Sequence, residues 1–113
     1  MNVGDVDGAD AIIIDDIVDT AGSLSALCHK LKRNGARKVY LCASHGLFTK
    51  ESMGLIDLSP VEKIVVTDTV PLIAGHSKKI VQVSVAKLIA HVIDSEYFRV
   101  KGTIEDEEMY KMD

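Results

Sequence analysis

The stretch Ile12–Leu24 reads IIIDDIVDTAGSL, and it holds the pattern that decides the fold. The β-branched run Ala11–Ile14 is typical of a strand that is covered on both faces. Apolar residues then recur at the i, i+3, i+4 and i+7 spacing of one helix face, at Leu24, Leu27, Cys28 and Leu31. A buried strand that leads directly into an amphipathic helix predicts a parallel sheet with helical crossovers.

The rest of the chain repeats this alternation. Further strands are predicted at Val39–Ala43, Ile64–Thr67 and Ile80–Val83, and further helices at Thr49–Ile56 and from a Ser84 cap to Ile93. We therefore predict an α/β fold, an open and mostly parallel sheet with flanking helices. The pattern fades after Phe98, which suggests a domain at 1–98 and a mobile acidic tail at 99–113.

Composition narrows the class of protein. Thirteen basic and seventeen acidic residues give a net charge of −4, which argues against nucleic acid as a partner. No run of about eighteen apolar residues predicts a membrane span, and no secretory signal opens the chain. The two cysteines, Cys28 and Cys42, lie in apolar patterns and are expected to be reduced thiols in a cytoplasmic protein.

The end of the first predicted strand is the place where a ligand is expected, because open α/β sheets bind ligands where strands lead into helices. The adjacent carboxylates of Asp15 and Asp16 can accept hydrogen bonds from a vicinal diol or help to hold a divalent cation. A small turn opens the following helix, at Thr20, Ala21, Gly22 and Ser23. Its free N–H groups and the helix dipole favour an anion, and Gly22 lets the backbone approach a phosphate. A diol beside a phosphate describes ribose 5-phosphate.

Asp19 places a negative charge next to the expected phosphate. We expect it to accept N–H groups of its own loop and to fix the shape of the turn. The whole segment is also compatible with a strand, a polar turn and a Ser or Thr N-cap without any ligand. Three aspartates together with Thr20–Ser23 at one strand end favour ligand binding.

The segment Gly4–Ser23 resembles the phosphoribosyl pyrophosphate motif of the ribose-phosphate pyrophosphokinases, also called phosphoribosyl pyrophosphate synthetases. Ser23 stands where the family usually has Thr, and the hydroxyl is kept. The likeness continues in order through Asn34–Ala36, Val39–Tyr40, Ser44–Phe48, Val65–Pro71 and Lys79–Ala86. It covers residues from Val3 to about Val92, the carboxy-terminal half of that family.

The resemblance implies a type I phosphoribosyltransferase-like domain that binds ribose 5-phosphate. Asp15 and Asp16 would lie against the ribose hydroxyls, and Asp19, Thr20, Ala21, Gly22 and Ser23 would surround the 5-phosphate. The family transfers the β,γ-diphosphate of Mg-ATP to the 1-hydroxyl of ribose 5-phosphate. Mg²⁺, ATP and a homo-oligomeric assembly are therefore implied as well.

Several family features have no counterpart in these 113 residues. In the family, the adenine-binding residues, a metal-ligating histidine and a mobile basic loop belong to an amino-terminal domain and to the region that joins it to the carboxy-terminal domain. No catalytic residue and no metal ligand is therefore assigned here, ATP is expected to bind mainly through the absent half, and the piece alone is expected to be inactive. Asp94–Phe98 also departs from the Ser-Val-Ser-Tyr-like stretch near the family's regulatory phosphate site.

Three other interpretations stay open. A response-regulator receiver domain would use an acidic pair at the first strand and Asp57 as phosphoacceptor, but Lys50–Gly54 is a poor buried strand before Asp57. A phosphoribosyltransferase would share the phosphate loop without the Ser44–Gly46 and Thr67–Thr69 blocks. A non-catalytic regulatory subunit would resemble the synthetase and bind partners only.

Two further features lead to expectations. His45 follows a strand end, so it is either near the ligand or a hydrogen-bonded structural residue. Apolar strips at Leu47–Phe48, Leu55–Ile56 and Val70–Ile73 fall in or beside predicted loops. If these strips are exposed, the isolated chain should self-associate.

Overall fold

The computed structural model describes residues 5–18 and 21–107, with side chains up to residue 101. The strands are β1 (Asp10–Val18), β2 (Lys38–Gly46), β3 (Val61–Thr67) and β4 (Ile80–Val83). The helices are α1 (Ala21–Arg33), α2 (Lys50–Leu58) and α3 (Ala86–Glu107). The chain divides into two compact units, Met1–Val83, which contains the sheet, and Ser84–Asp113.

The four strands form one sheet in the order β1-β2-β3-β4, and each pair of neighbours is parallel. One row of paired residues crosses the whole sheet, at Ile14, Cys42, Val65 and Val81. The predicted α/β fold is confirmed. A parallel sheet with consecutive strand order places the carboxyl ends of all strands at one edge, which we call the carboxyl edge.

The first strand is longer than the sequence pattern predicts. Asp15 pairs with Ala43, and pairing continues through Ile17 and Val18 to the end of β2. The prediction that the strand ends at the carboxylates was therefore wrong. The register passes over Asp16, whose N–H donates to the Asp15 carboxylate, and resumes at Ile17.

The core lies on one face of the sheet. Right-handed crossovers between consecutive neighbouring strands put α1 and α2 on the same face, where they contact each other. The most deeply buried side chains belong to this layer: Cys28, Val39, Leu41, Ile56, Val61, Ile64 and Val66. Burial raises the pKa of the Cys28 thiol to about 11, so it is protonated at neutral pH.

The opposite face, which we call the open face, exposes apolar side chains. Their exposed fractions are 61% for Ile12, 82% for Ile14, 40% for Val81 and 50% for Val83. The apolar strips predicted in loops are partly packed: Phe48, Leu72 and Ile73 lie against the core and Ile56 is 1% exposed, whereas Leu47 and Leu55 are 43% and 48% exposed. Exposed apolar surface in the first unit is therefore present on the predicted strips and also on the sheet.

Both ends of α2 and the end of α1 have specific partners. Thr49 and Ser52 form a reciprocal capping box at the start of α2. At its other end, the Lys79 ammonium donates to the carbonyls of Ser59 at 2.8 Å, Asp57 at 3.2 Å and Ile56 at 3.3 Å. The end of α1 turns through Gly35, whose φ is +92° and whose carbonyl accepts the N–H of Gly8 at 2.9 Å.

The second unit consists mainly of α3. Ser84 accepts the N–H of Ala86 at 3.1 Å, as expected for a helix start. The predicted apolar stripe is present and exposed, at Leu88, Ile89, Val92 and Ile93. The helix extends into the segment predicted as a tail, and residues 108–113 lie outside the described part. Among the described residues, no helix is both long and apolar enough to cross a membrane.

We expect Gly35→Ala to lower the free energy of unfolding by about 2 kcal/mol or more. The left-handed φ disfavours any side chain, and the added Cβ would collide with the side chain of Asp7 and lie 3.1 Å from its Cα. Gly75→Ala is the control, because Gly75 has a φ of +73° with nothing within 4 Å of an added Cβ. Denaturant unfolding should rank Gly35→Ala as the more damaging change. An equal loss in both variants would contradict a role for the Asp7 collision.

We expect the chain to self-associate through the open face, and Ile14→Lys to reduce that association because it adds a charge to an exposed edge strand. Leu58→Lys is the matched control, since Leu58 is 84% exposed at the end of α2. Sedimentation over a concentration series should show an average mass that rises for the unmodified chain and for Leu58→Lys, but not for Ile14→Lys. A parent chain that stays monomeric throughout would contradict this expectation.

Candidate functional site

The two adjacent carboxylates in β1 are held by their own backbone. The N–H of Asp16 donates to Asp15 Oδ1 at 2.8 Å, and the N–H of Ile17 donates to Asp16 Oδ1 at 2.9 Å. Both side chains are exposed, so their remaining lone pairs are open to a ligand. This pair lies in the part of β1 that approaches the carboxyl edge.

The charge state of Asp16 is set by its neighbours. Hydrogen bonding with the Asp15 side chain is the largest influence that lowers the pKa of Asp16 below its ordinary value. The N–H groups of Asp16 and Ile17 and the electrostatic effect of His45 lower this pKa further. Asp16 is therefore an ionised hydrogen-bond acceptor at neutral pH.

The start of α1 has the features of an anion site. The helix is 13 residues long, and its first turn contains no acidic residue while its last turn contains three basic residues. Gly22 and Ser23 are exposed at this end, and a Cβ added at Gly22 would meet nothing within 4 Å. The first N–H groups of a helix have no partner within the helix, and the dipole favours negative charge there.

Five of the seven predicted site residues belong to the described part of the chain. Asp15 and Asp16 lie in β1, and Ala21, Gly22 and Ser23 form the first residues of α1. Asp19 and Thr20 lie outside the described residues. Only two residues separate the end of β1 from the start of α1, so both groups belong to one strand-to-helix connection.

A hydrogen-bonded cluster that the sequence did not predict joins the ends of β2 and β3. The hydroxyl of Thr67 donates to the carbonyl of Ser44 at 2.5 Å, and the hydroxyl of Thr69 lies 3.2 Å from the same carbonyl. His45 Nδ1 lies 2.6 Å from Thr69 Oγ1. His45 is thus a hydrogen-bonded residue at the carboxyl edge. The sequence signals for this cluster were that Thr67 ends a predicted strand, that the other members follow predicted strands, and that they belong to the Ser44–Gly46 and Thr67–Thr69 blocks.

A shallow groove of about 270 Å³ lies beside this cluster. Its floor is apolar and includes Ile14, Cys42 and Val65, whereas Asp15 and Thr67 supply polar atoms at its rim. The groove therefore places apolar surface next to hydrogen-bonding groups, as binding clefts commonly do.

The receiver-domain interpretation is wrong about Asp57. Asp57 lies in α2, near the amino ends of the strands, and its Oδ1 accepts a hydrogen bond from Ser77 Oγ at 2.5 Å. A phosphoacceptor would have to follow a buried strand at the carboxyl edge. The described residues also contain no cluster of three or more His, Cys, Asp or Glu side chains that could hold a metal ion.

Comparison with known proteins decides the family. The model of the phosphoribosyl synthetase-associated domain matches residues 1–101. The chain belongs to the phosphoribosyl synthetase-associated domain family. A ribose-phosphate pyrophosphokinase of Aquifex aeolicus is 43% identical over 91 residues, which cover 80% of this chain and 29% of the relative. A pyrophosphokinase of Xylella fastidiosa is 44% identical over 96 residues, covering 82% of this chain and 30% of the relative.

The fold agrees with this family assignment. The crystal structure of a phosphoribosylpyrophosphate synthetase from Mycobacterium smegmatis superposes with a TM-score of 0.79 at 28% identity, covering 86% of this chain and 33% of that one. The predicted likeness to the phosphoribosyltransferase fold is confirmed. This synthetase-family chain spans about one-third or less of the length of the relatives it matches.

Proposed function

We propose that this chain is the ribose 5-phosphate-binding part of a ribose-phosphate pyrophosphokinase. The observation that carries the proposal is the short connection between a pair of exposed carboxylates in β1 and an acid-free helix start in α1. Its acceptors suit the hydroxyls of a sugar, and its helix N–H groups suit a phosphate. Membership of the synthetase family supports the same ligand.

In this proposal each group has a separate task. Asp15 and Asp16 accept hydrogen bonds from the ribose hydroxyls, and the N–H groups of Ala21, Gly22 and Ser23 bind the 5-phosphate. Asp19 and Thr20 complete the loop around that phosphate. The chain's own contribution is to hold the sugar in a fixed position, which lowers the entropic cost of the transfer reaction.

The whole reaction requires more than this chain. The proposed parent enzyme transfers a diphosphate group from ATP to the 1-hydroxyl of ribose 5-phosphate, with ATP held mainly by the rest of the parent. Mg²⁺ prefers oxygen ligands and often binds through one or two carboxylates plus phosphates. We assign no residue of this chain to Mg²⁺. A cytoplasmic location and a homo-oligomeric parent are part of the same proposal.

Replacing Gly22 with valine should weaken ribose 5-phosphate binding about tenfold or more, or ~1.4 kcal/mol, because a side chain would block the approach of the phosphate to the backbone. The space around Gly22 is open, so the variant should fold normally. Gly54→Val in α2 is the matched control, since a Cβ there also meets nothing within 4 Å. A titration with ribose 5-phosphate, monitored through the amide NMR signals, measures the affinity of each variant.

In the same titration of the unmodified chain, the first amide signals to shift should be those of Ala21, Gly22 and Ser23. Largest shifts around Asp57 would contradict the proposed phosphate site at the start of α1. A complete lack of response to ribose 5-phosphate would favour a non-catalytic, synthetase-like regulatory subunit.

The isolated chain should make no phosphoribosyl pyrophosphate from Mg-ATP and ribose 5-phosphate. Transfer requires ATP to be held in line with the sugar, and no residue of this chain is assigned to that task. Product formation is measured against a blank without protein, with a full-length pyrophosphokinase as the positive control. Turnover clearly above the blank would contradict this expectation.

A further inference from the structure

His45 occupies a distinctive position at the carboxyl edge. It lies one residue before the end of β2 and pairs with Ile17, the residue that follows Asp15 and Asp16 in β1. Its Nδ1 lies 2.6 Å from Thr69 Oγ1, whereas its Nε2 has no hydrogen-bond partner among the described residues. Within the described part of the chain, one ring nitrogen is therefore anchored and the other is available.

The positions of the Thr67 and Thr69 hydroxyl hydrogens determine whether Nε2 of His45 can donate a hydrogen bond. The Thr67 hydroxyl is only 2.5 Å from the Ser44 carbonyl, so its hydrogen must lie between these two oxygens. The Thr69 hydroxyl keeps its own hydrogen and can donate it to Nδ1, which leaves the hydrogen of a neutral ring on Nε2. It can instead donate to the Ser44 carbonyl at 3.2 Å and accept a hydrogen bond from Nδ1–H; Nε2 then carries a hydrogen in the protonated ring and is an acceptor in the neutral ring. Nε2–H is therefore a donor when Thr69 donates to Nδ1 or when the ring is protonated.

The carboxylates of Asp15 and Asp16 provide no hydrogen-bond donor. Ionised carboxylates accept hydrogen bonds but donate none, whereas a sugar hydroxyl both donates and accepts. A hydroxyl bound by Asp15 or Asp16 alone would keep its oxygen lone pairs without a protein partner. The pairing of His45 with Ile17 places this residue beside the segment of β1 that carries the pair, and His45 is the weakest of the influences that lower the pKa of Asp16.

We propose that His45 is an additional sugar-binding residue, which donates from Nε2 to the oxygen of a ribose hydroxyl whose hydrogen is accepted by the Asp15–Asp16 pair. Thr69 is the positioning residue, because its hydroxyl anchors Nδ1 and so fixes the ring. This inference rests on the proposed binding of ribose 5-phosphate. It assigns the hydroxyl groups of the sugar, rather than the phosphate, to the histidine.

The test is an NMR titration of the full chain with ¹⁵N-labelled histidine, using ribose 5-phosphate and, separately, inorganic phosphate. Ribose 5-phosphate should shift the amides of Gly22 and Ser23 and the Nε2 signal of His45, whereas inorganic phosphate should shift the amides only. If ribose 5-phosphate moves the amides and leaves His45 unchanged, the inference is wrong and the proposed site stands. An equal response of His45 to inorganic phosphate would overturn the hydroxyl assignment. No response at either place would overturn both proposals.

Variants test the same point through affinity. His45→Ala should weaken ribose 5-phosphate binding roughly 3- to 10-fold, as expected for one lost hydrogen bond, and leave the affinity for inorganic phosphate unchanged. His45→Gln keeps an N–H donor and should recover part of the loss. His29→Ala is the control, because His29 is exposed on α1. A role in folding alone would weaken both ligands together in His45→Ala, which would contradict the inference.

Discussion

The common direction of the four strands is the constraint on which the site depends. Because β1, β2 and β3 all end at the same edge, the carboxylates of β1, the histidine of β2 and the threonines at the end of β3 come together without any long loop. The same direction brings the amino end of α1 to that edge, since each crossover helix begins where a strand stops. The groups of the candidate site are thereby collected at one edge of the sheet.

The opposite edge holds a different set of groups. The end of α2 and the start of β4 meet there, and the hydrogen bond between Asp57 and Ser77 is part of that junction. The salt bridge of Arg37 with Asp10 joins the beginnings of β1 and β2 at the same edge, with 2.8 Å between Arg37 Nη2 and Asp10 Oδ2. These contacts secure connections between elements, so the two edges of the sheet differ in chemistry as well as in position.

The arrangement of strands and helices could be predicted from periodicity because each element is a local pattern. The strand β4 and the helix α1 follow the predicted apolar spacing closely. The end of β1 could not be predicted in this way, because backbone pairing of Ile17 with His45 does not depend on whether the preceding side chains are acidic. The burial of Phe48 was missed for a related reason. Its ring folds back so that a Cβ at Gly46 would be 2.6 Å from Phe48 Cε2, a contact that depends on the path of a loop.

The candidate site also contains residues that the sequence predicted and residues that it did not. The carboxylates and the small residues of α1 are close in sequence, so their spacing alone indicated a common ligand. The hydroxyl cluster is built from residues 23 to 25 positions apart, Thr67 and Thr69 with Ser44, and 24 positions apart for His45 with Thr69. Its members become neighbours only through the pairing register of β2 with β3, which a single sequence does not reveal.

The contact of Lys79 with the end of α2 has a consequence for which residues can occupy that position. One ammonium group meets three carbonyl oxygens, those of Ile56, Asp57 and Ser59, so each N–H bond of a tetrahedral nitrogen has its own acceptor. A guanidinium carries the same charge, but its donors lie in one plane and suit two parallel acceptors rather than a converging set. At this junction the shape of the cation, and not only its charge, selects lysine over arginine.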